Sequence, residues 1–203
     1  MAGIKKSKEN LQKLYKYVLE QFIDTGIEFT LFYGTLLGYI RENDFIENDD
    51  DIDVIISKKD YNKVMENISK KNLKTGIINQ DIIQIFMNDI GPFDIYFYVF
   101  EKNNIKISWE KELFPIKNIF PLKKINYYNM EINIPSKPID ILYQGYGENW
   151  SIPQKKGNYN YNYIYSNKTI EAFDNNSNCN YIYYFIIFIL FILLIKKIIN
   201  IFY

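Results

Sequence analysis

Three aspartates occur at spacings that suit the binding of a divalent cation. Asp51 and Asp53 flank Ile52 at the start of an apolar strand, so both carboxylates are expected on one face while Ile52 points into the core. Asp94 is a lone acid inside the apolar run PFDIYFYV, where an unpaired carboxylate would be costly to bury. Carboxylate oxygens are the ligands that Mg²⁺ or Mn²⁺ takes together with phosphate oxygens. The set therefore predicts a metal site for phosphoryl transfer.

A Gly-Thr pair precedes these acids and supplies a second element of phosphate chemistry. Gly34 and Thr35 stand where a strand turns into a short helix. The N–H groups at a helix N-terminus, a glycine that allows close approach and a hydroxyl all suit phosphate oxygens. The alternative is that the pair only forms a turn and a helix cap.

The acidic run NDDDID also has readings other than a magnesium site. Acidic clusters before strands are often solvated loops. Calcium is a further alternative, because four aspartates mimic positions 1, 3, 5 and 12 of an EF-hand loop: Asp49, Asp51, Asp53 and Asp60. That alternative fails at position 6, where the sharp turn requires glycine and the chain has the β-branched Val54.

The composition excludes several classes of function. The chain has 203 residues and 48% hydrophobic residues, which suits one domain with accessory segments. Lys plus Arg equals Asp plus Glu at 24 each, so no basic field favours nucleic acid. The absence of histidine removes Ser-His and Cys-His catalysis, and the single Cys179 excludes an intramolecular disulfide and a Cys-rich zinc site.

Hydrophobic periodicity and turn residues predict an alternation of helices and strands. This order describes an α/β (α+β) layer built on a mixed sheet with flanking helices. The predicted elements are a helix at 7–25, a strand at 28–33, a short helix at 36–42, a strand at 51–57, a helix at 58–72, strands at 82–87 and 93–100, a hairpin at 123–135 that turns near Asn129, and a short helix at 137–147.

The C-terminal quarter of the chain differs in composition from the rest. Residues 151–180 are rich in Asn and Tyr and are predicted to be a polar linker. Residues 181–203 are almost entirely apolar apart from Lys196 and Lys197, which predicts a hydrophobic helix that anchors the chain in a membrane. A buried helix of the fold is the alternative. With no N-terminal signal, a single-pass C-terminal anchor would leave the catalytic domain in the cytosol.

Two sequence blocks resemble one known family. YGTLLGYIRENDFIENDDDIDVII, residues 33–56, is similar to the signature of the LicD/fukutin family of phosphotransferases, within the nucleotidyltransferase-fold superfamily. Residues 120–150 resemble the later family segment, in which Pro-Leu precedes a hairpin and a Tyr-Gly-x-x-Trp. The resemblance covers roughly residues 10–155. It implies that residues 1–150 form a nucleotidyltransferase-like catalytic domain.

The resemblance also implies an activity and a set of roles. Such enzymes transfer a phospho-alcohol, of phosphocholine or ribitol-phosphate type, from a cytidine diphosphate donor to a hydroxyl of a glycan or glycolipid and release CMP. Asp51 and Asp53 would hold Mg²⁺ on the diphosphate, and Asp94 would complete the metal site or take the acceptor proton. Gly34 and Thr35 would contact phosphate.

Three basic residues each have two alternative roles under the same resemblance. Arg41 would neutralise charge on the leaving nucleotide, as cationic groups do in phosphoryl transfer. An ion pair with Asp49 or Asp50 is its alternative. Lys123 and Lys124 could face the donor, but a solvated face of the hairpin is the favoured interpretation of both.

The chain departs from the family pattern in one loop. Residues 44–48 read Asp-Phe-Ile-Glu-Asn where the family commonly has Gly-Phe-Ile-Pro-Trp, which leaves donor specificity open. Two other functions remain as alternatives. One is a nucleotidyltransferase that uses a nucleoside triphosphate, and the other is a catalytically dead, membrane-tethered binding module.

Overall fold

A computed structural model describes residues 5–109 and 111–153. The helices in this part are α1 (Lys8–Gln21), α2 (Tyr33–Glu42), a single 3-10 turn (Lys58–Asp60), α3 (Tyr61–Lys71), α4 (Ile116–Ile119) and α5 (Pro138–Tyr146). The strands are β1 (Thr30–Leu31), β2 (Ile52–Ser57), β3 (Lys74–Ile78), β4 (Ile82–Met87), β5 (Ile90–Glu101), β6 (Asn104–Ile107), β7 (Glu112–Pro115), β8 (Lys123–Tyr127) and β9 (Met130–Ile134).

The strands of the described chain form one mixed sheet in the order β3-β4-β5-β2-β1-β9-β8, with β6 and β7 continuing from the C-terminal part of β5. β2 runs parallel to β5, and β1 runs parallel to β9. The remaining pairs are antiparallel. The predicted mixed α/β architecture is therefore confirmed for this part of the chain.

The centre of the sheet is apolar because β2 is covered by other elements. Ile52, Val54, Ile55 and Ile56 are fully buried, as expected for a strand that pairs on both edges and packs on both faces. Helix α1 lies against β4 and β5, and α2 lies against β2 and α5. Burial of α1 follows its helical spacing of apolar side chains, listed as Leu11, Leu14, Tyr15, Val18 and Leu19.

Several predicted elements have the expected position, and others were missed. Strand β4, the β8–β9 hairpin and α5 lie where the sequence predicted them. Helix α2 begins at Tyr33, three residues before the predicted start, because the Gly-Thr pair lies inside its first turn. The short strands β3, β6 and β7 were not predicted. Each has four or five residues, and β3 contains a glycine and is mostly exposed, so none carries a strong periodic signal.

The predicted hydrophobic tail at 181–203 and nearly all of the predicted linker at 151–180 lie outside the described residues. Within residues 5–109 and 111–153, no helix has both the length and the hydrophobicity that crossing a bilayer requires.

Candidate metal centre

The register of two parallel strands places Asp53 beside Asp94. Asp53 on β2 and Asp94 on β5 are direct partners, so their side chains leave the same face of the sheet. Both are buried, with 6% and 4% of their surface exposed. Asp51 lies just before β2 and is half-buried, two residues from Asp53 and therefore on the same side. The fold thus brings together the three acids that the sequence selected.

The three carboxylates are close enough to share one cation. One oxygen from each of Asp51, Asp53 and Asp94 lies within 4.8 Å of the others. A second set, formed by Asp49, Asp50 and Asp51, meets the same distance. Asp51 belongs to both sets, so the acids that precede β2 and the acids of the sheet meet at this residue.

Helix α2 fixes the position of Asp53. The Gly34 N–H donates to Asp53 Oδ2 at 3.1 Å, and the Asp53 N–H donates to Thr35 Oγ1 at 2.8 Å. Burial raises the pKa of Asp53 well above its ordinary value, and the nearby charges of Asp51, Asp94 and Asp49 raise it further. The hydrogen bond from Gly34 opposes that increase but does not cancel it. A carboxylate kept ionised here requires additional positive charge.

The surroundings of Asp94 are the clearest indication that this group of acids suits a cation. Burial raises the pKa of Asp94 to about 7, although hydrogen bonds from Gln84 and Tyr96 oppose the increase. These bonds leave Asp94 Oδ1 buried without a hydrogen-bond partner, while the Tyr96 hydroxyl reaches Oδ2 at 3.5 Å. Buried carboxylate oxygens are normally satisfied. This oxygen belongs to a carboxylate that has one oxygen within 4.8 Å of oxygens of Asp51 and Asp53, an arrangement that fits a hard divalent cation such as Mg²⁺.

A glycine is needed at the start of α2 because the acids approach so closely. A Cβ atom at Gly34 would lie 3.1 Å from Asp49 Oδ2 and 3.3 Å from Asp53 Oδ2. Both distances are tighter than ordinary contacts of a Cβ atom. Gly34 therefore allows the helix N-terminus to face the acids directly. Thr35 is almost fully buried and positions Asp53 through its hydroxyl.

The basic residues that the sequence selected lie in different surroundings. The Arg41 guanidinium is mostly buried and forms an ion pair with Glu42 at 2.7 Å. Lys124 on β8 is exposed and pairs with Glu131 at 2.7 Å, as expected for a solvated hairpin. Lys123 is also exposed. Contact of any of the three with a donor stays a prediction.

Sequence reasoning missed two neighbours of the acids. Gln84 on β4 is the cross-strand partner of Asp94. Gln84 is the single polar residue in the apolar run IIQIFM, and that pattern could have indicated a polar partner for a buried group. Tyr33 lies directly before Gly34 with φ at +42°, and its hydroxyl donates to Glu112 at 3.0 Å. No sequence signal indicated that contact, because β7 was not predicted.

Comparison with known proteins identifies relatives of this region. Residues 26–137, just over half of the chain, match the family model described as LicD/FKTN/FKRP, nucleotidyltransferase domain. The mouse protein named ribitol-5-phosphate transferase FKTN is 27% identical over 169 residues, which cover 74% of this chain and 34% of that protein. The uncharacterized protein RT0683 of Rickettsia typhi is 26% identical over 146 residues, covering 68% and 46%.

A solved structure also resembles the chain. The lincomycin-bound lincosamide antibiotic adenylyltransferase LnuA matches with a TM-score of 0.48 and 15% identity, over 68% of this chain and 86% of that one. The chain spans less than half the length of the two curated relatives it matches. The matched family region includes every acid of the candidate centre.

Proposed function

Since the chain belongs to the LicD/FKTN/FKRP family, and its nucleotidyltransferase domain includes the converging acids, we propose that it transfers a phospho-alcohol to a sugar hydroxyl. The donor is a cytidine diphosphate alcohol of ribitol or choline type, and the acceptor is a glycan or glycolipid. The observation that carries the proposal is the meeting of Asp51, Asp53 and Asp94 beside the N-terminus of α2.

The three aspartates have two different proposed roles, which are cation binding and proton transfer. Asp51 and Asp53 would hold Mg²⁺ or Mn²⁺, which would bind the diphosphate of the donor. The bound cation supplies neutralisation of the charge that builds up on the phosphate oxygens. The Gly34 N–H orients the Asp53 carboxylate toward the cation through its 3.1 Å hydrogen bond. The Thr35 hydroxyl oxygen holds the Asp53 backbone by accepting from its N–H.

Asp94 is the residue best placed to handle the acceptor proton. In the reaction, a bond forms between the acceptor oxygen and the phosphorus of the alcohol phosphate, and the bond from that phosphorus to the oxygen of CMP breaks. The hydroxyl proton is then taken up at Asp94 Oδ1, which has no other partner. A pKa near 7 suits a general base. Asp94 alternatively serves as the third ligand of the cation.

The helix N-terminus and Arg41 complete the proposed donor site. The first turn of α2 carries the positive end of the helix dipole, which favours phosphate. Gly34 and Thr35 lie in this turn and are proposed to contact the diphosphate. Arg41 lies at the other end of the same helix, where its charge is offset by Glu42. Its proposed role is to neutralise the leaving nucleotide.

Product analysis distinguishes this reaction from the closest enzymatic alternative. The protein is incubated with Mg²⁺, a sugar acceptor and either CDP-ribitol, CDP-choline or a nucleoside triphosphate. CMP from a CDP-alcohol supports the proposal, whereas pyrophosphate from a triphosphate supports nucleotidyl transfer with the same acids. Asp53→Asn is the matched control, because it keeps the shape of the side chain and removes the charge.

A binding module without catalysis is the alternative from another class. Three acids held within 4.8 Å repel one another, and their burial lowers the stability of the fold. A protein without a cation-dependent task gains nothing from that arrangement. Binding of a CDP-alcohol without any product, under conditions in which the cation binds, would favour the binding module.

A further inference from the structure

The acidic loop, defined as residues 43–51, connects α2 to β2 and carries Asp51. It rests on α2 at Gly38, where a Cβ atom would lie 2.6 Å from the carbonyl oxygen of Asp44. It is tied to the N-terminal segment by the Lys6 N–H, which donates to the Asp49 carbonyl at 2.8 Å. The position of the loop therefore depends on contacts outside its own sequence.

One of these contacts comes from the tip of the β8–β9 hairpin. Tyr128 and Asn129 form the two-residue turn between Tyr127 and Met130, with φ at +51° and +64°. This left-handed backbone is ordinary for Asn in a hairpin turn but unusual for a bulky aromatic residue. A tyrosine in this conformation costs on the order of 1 kcal/mol, so its side-chain contacts must compensate.

Tyr128 contacts the ring of Tyr15 on α1 and that of its neighbour Tyr127, and it also contacts the first residues of the acidic loop. Its ring is stacked on Phe45, with centroids 5.3 Å apart and the planes 8° from parallel. Its hydroxyl donates to Asp44 Oδ1. The same oxygen accepts from the Phe45 N–H at 2.7 Å, and Lys8 Nζ reaches Asp44 Oδ2 at 3.1 Å. Phe45 is almost fully buried, so the stack holds the loop firmly.

We propose that Tyr128 is a positioning residue that clamps the acidic loop and thereby places Asp51 for the cation. The clamp fixes residues 44 and 45, and the hydrogen bonds from α2 fix Asp53. The chain between these points then loses less conformational freedom when a cation binds, which raises affinity by preorganisation. Asp44 replaces the glycine of the family pattern, in a loop that also lacks its Pro-Trp pair. The inference rests on the proposed metal site.

Cation binding to the purified chain tests the clamp without an activity assay. Mn²⁺ affinity is measured by electron paramagnetic resonance for the wild type and Tyr128→Phe, which keeps the ring stack and removes the hydrogen bond. We expect the dissociation constant to rise about 10-fold, the lower end of the effect of residues that orient metal ligands. Tyr143→Phe is the matched control, because it removes a hydrogen bond from an exposed tyrosine on α5 to Glu148. It should bind as the wild type does.

The same substitution made in the Asp44→Ala variant distinguishes the positioning role of Tyr128 from a general loss of stability. In Asp44→Ala, the Tyr128 hydroxyl keeps its hydrogen bond with Gln12 but has lost its bond to the acidic loop, so adding Tyr128→Phe should cause no further loss of Mn²⁺ affinity. In the metal-free protein, amides of residues 44–51 should exchange faster in Tyr128→Phe, while those of β2 and β5 stay unchanged. Faster exchange throughout the sheet would overturn the positioning role.

The possible failures can be told apart. A wild-type chain that is folded but binds no Mn²⁺ contradicts the metal site itself. If the wild type and Tyr128→Phe bind Mn²⁺ equally tightly, the positioning role of Tyr128 is contradicted. The proposed metal site is then still supported.

Discussion

Replacement of Asp94 by asparagine is expected to stabilise the metal-free protein at alkaline pH. Raising a carboxyl pKa from 3.8 to about 7 corresponds to roughly 4 kcal/mol of unfavourable ionisation above pH 7. The asparagine amide removes the charge but must itself be accommodated in a buried position, at a cost of about 1–2 kcal/mol. We therefore expect Asp94→Asn to raise the free energy of unfolding by about 2 kcal/mol at pH 8 in EDTA.

The pH dependence follows from the direction of this pKa change. The folded state holds the Asp94 proton between pH 3.8 and about 7, whereas the unfolded state has released it. Wild-type stability therefore falls across this window by up to about 1.4 kcal/mol per pH unit from this group. Asp94→Asn lacks that contribution. The variant should therefore be less stable than the wild type near pH 4, by the cost of the buried amide, and more stable above pH 7.

Urea unfolding followed by circular dichroism, from pH 4 to pH 8 in EDTA, measures the effect. Asp24→Asn is the control for the same chemical change at an exposed position, in the turn after α1. Saturating Mg²⁺ should reverse the order, because the wild type gains binding energy that the variant lacks. A variant that is less stable at pH 8 and keeps the wild-type slope would refute the reasoning.

Three further predictions concern the candidate metal centre and the acidic loop beside it. Mg²⁺ binding at pH 6–7 should release protons and raise the melting temperature, because the cation favours ionised Asp53 and Asp94. Calorimetry in buffers of different ionisation enthalpy measures the proton release, and a binding enthalpy that does not depend on the buffer would contradict this prediction. Gly34→Ala should weaken Mn²⁺ binding by pushing on two carboxylates, whereas Gly145→Ala, whose Cβ meets nothing within 4 Å, should not; equal affinities would count against the close approach. Gly38→Ala should lower the free energy of unfolding by about 1–3 kcal/mol, since its Cβ would meet the Asp44 carbonyl oxygen at 2.6 Å. Chemical denaturation measures this free energy, and an unchanged midpoint would show that the acidic loop does not pack on α2 at Gly38.

The sequence predicted the core of the site because short-range patterns determine it. Asp51 and Asp53 share a face through the two-residue period of a strand, and Asp94 was recognisable as an acid in an apolar run. Their meeting required β2 and β5 to be adjacent and in register, which the structure provides. Their function as metal ligands stays a prediction.

The parts that were not predicted depend on contacts between distant segments. Tyr128 lies 84 residues from Asp44 in sequence, and nothing local in the hairpin indicates that its tip reaches the acidic loop. Tyr33 and Glu112 are brought together only because β7 lies near the start of α2. Short exposed strands such as β3 carry too few apolar residues for periodicity to identify them.

Anomalous diffraction from crystals soaked with Mn²⁺ and a CDP-alcohol would test the central claim most directly. The account predicts one strong peak with oxygens of Asp51 and Asp53 at roughly 2.1 Å, the distance of octahedral Mg²⁺-type coordination, and with Asp94 beside it as a third ligand or as the base that faces the acceptor. Oxygens of the donor diphosphate should complete the coordination. A Mn²⁺ peak elsewhere in the chain, or an ordered diphosphate bound away from these three aspartates, would contradict it.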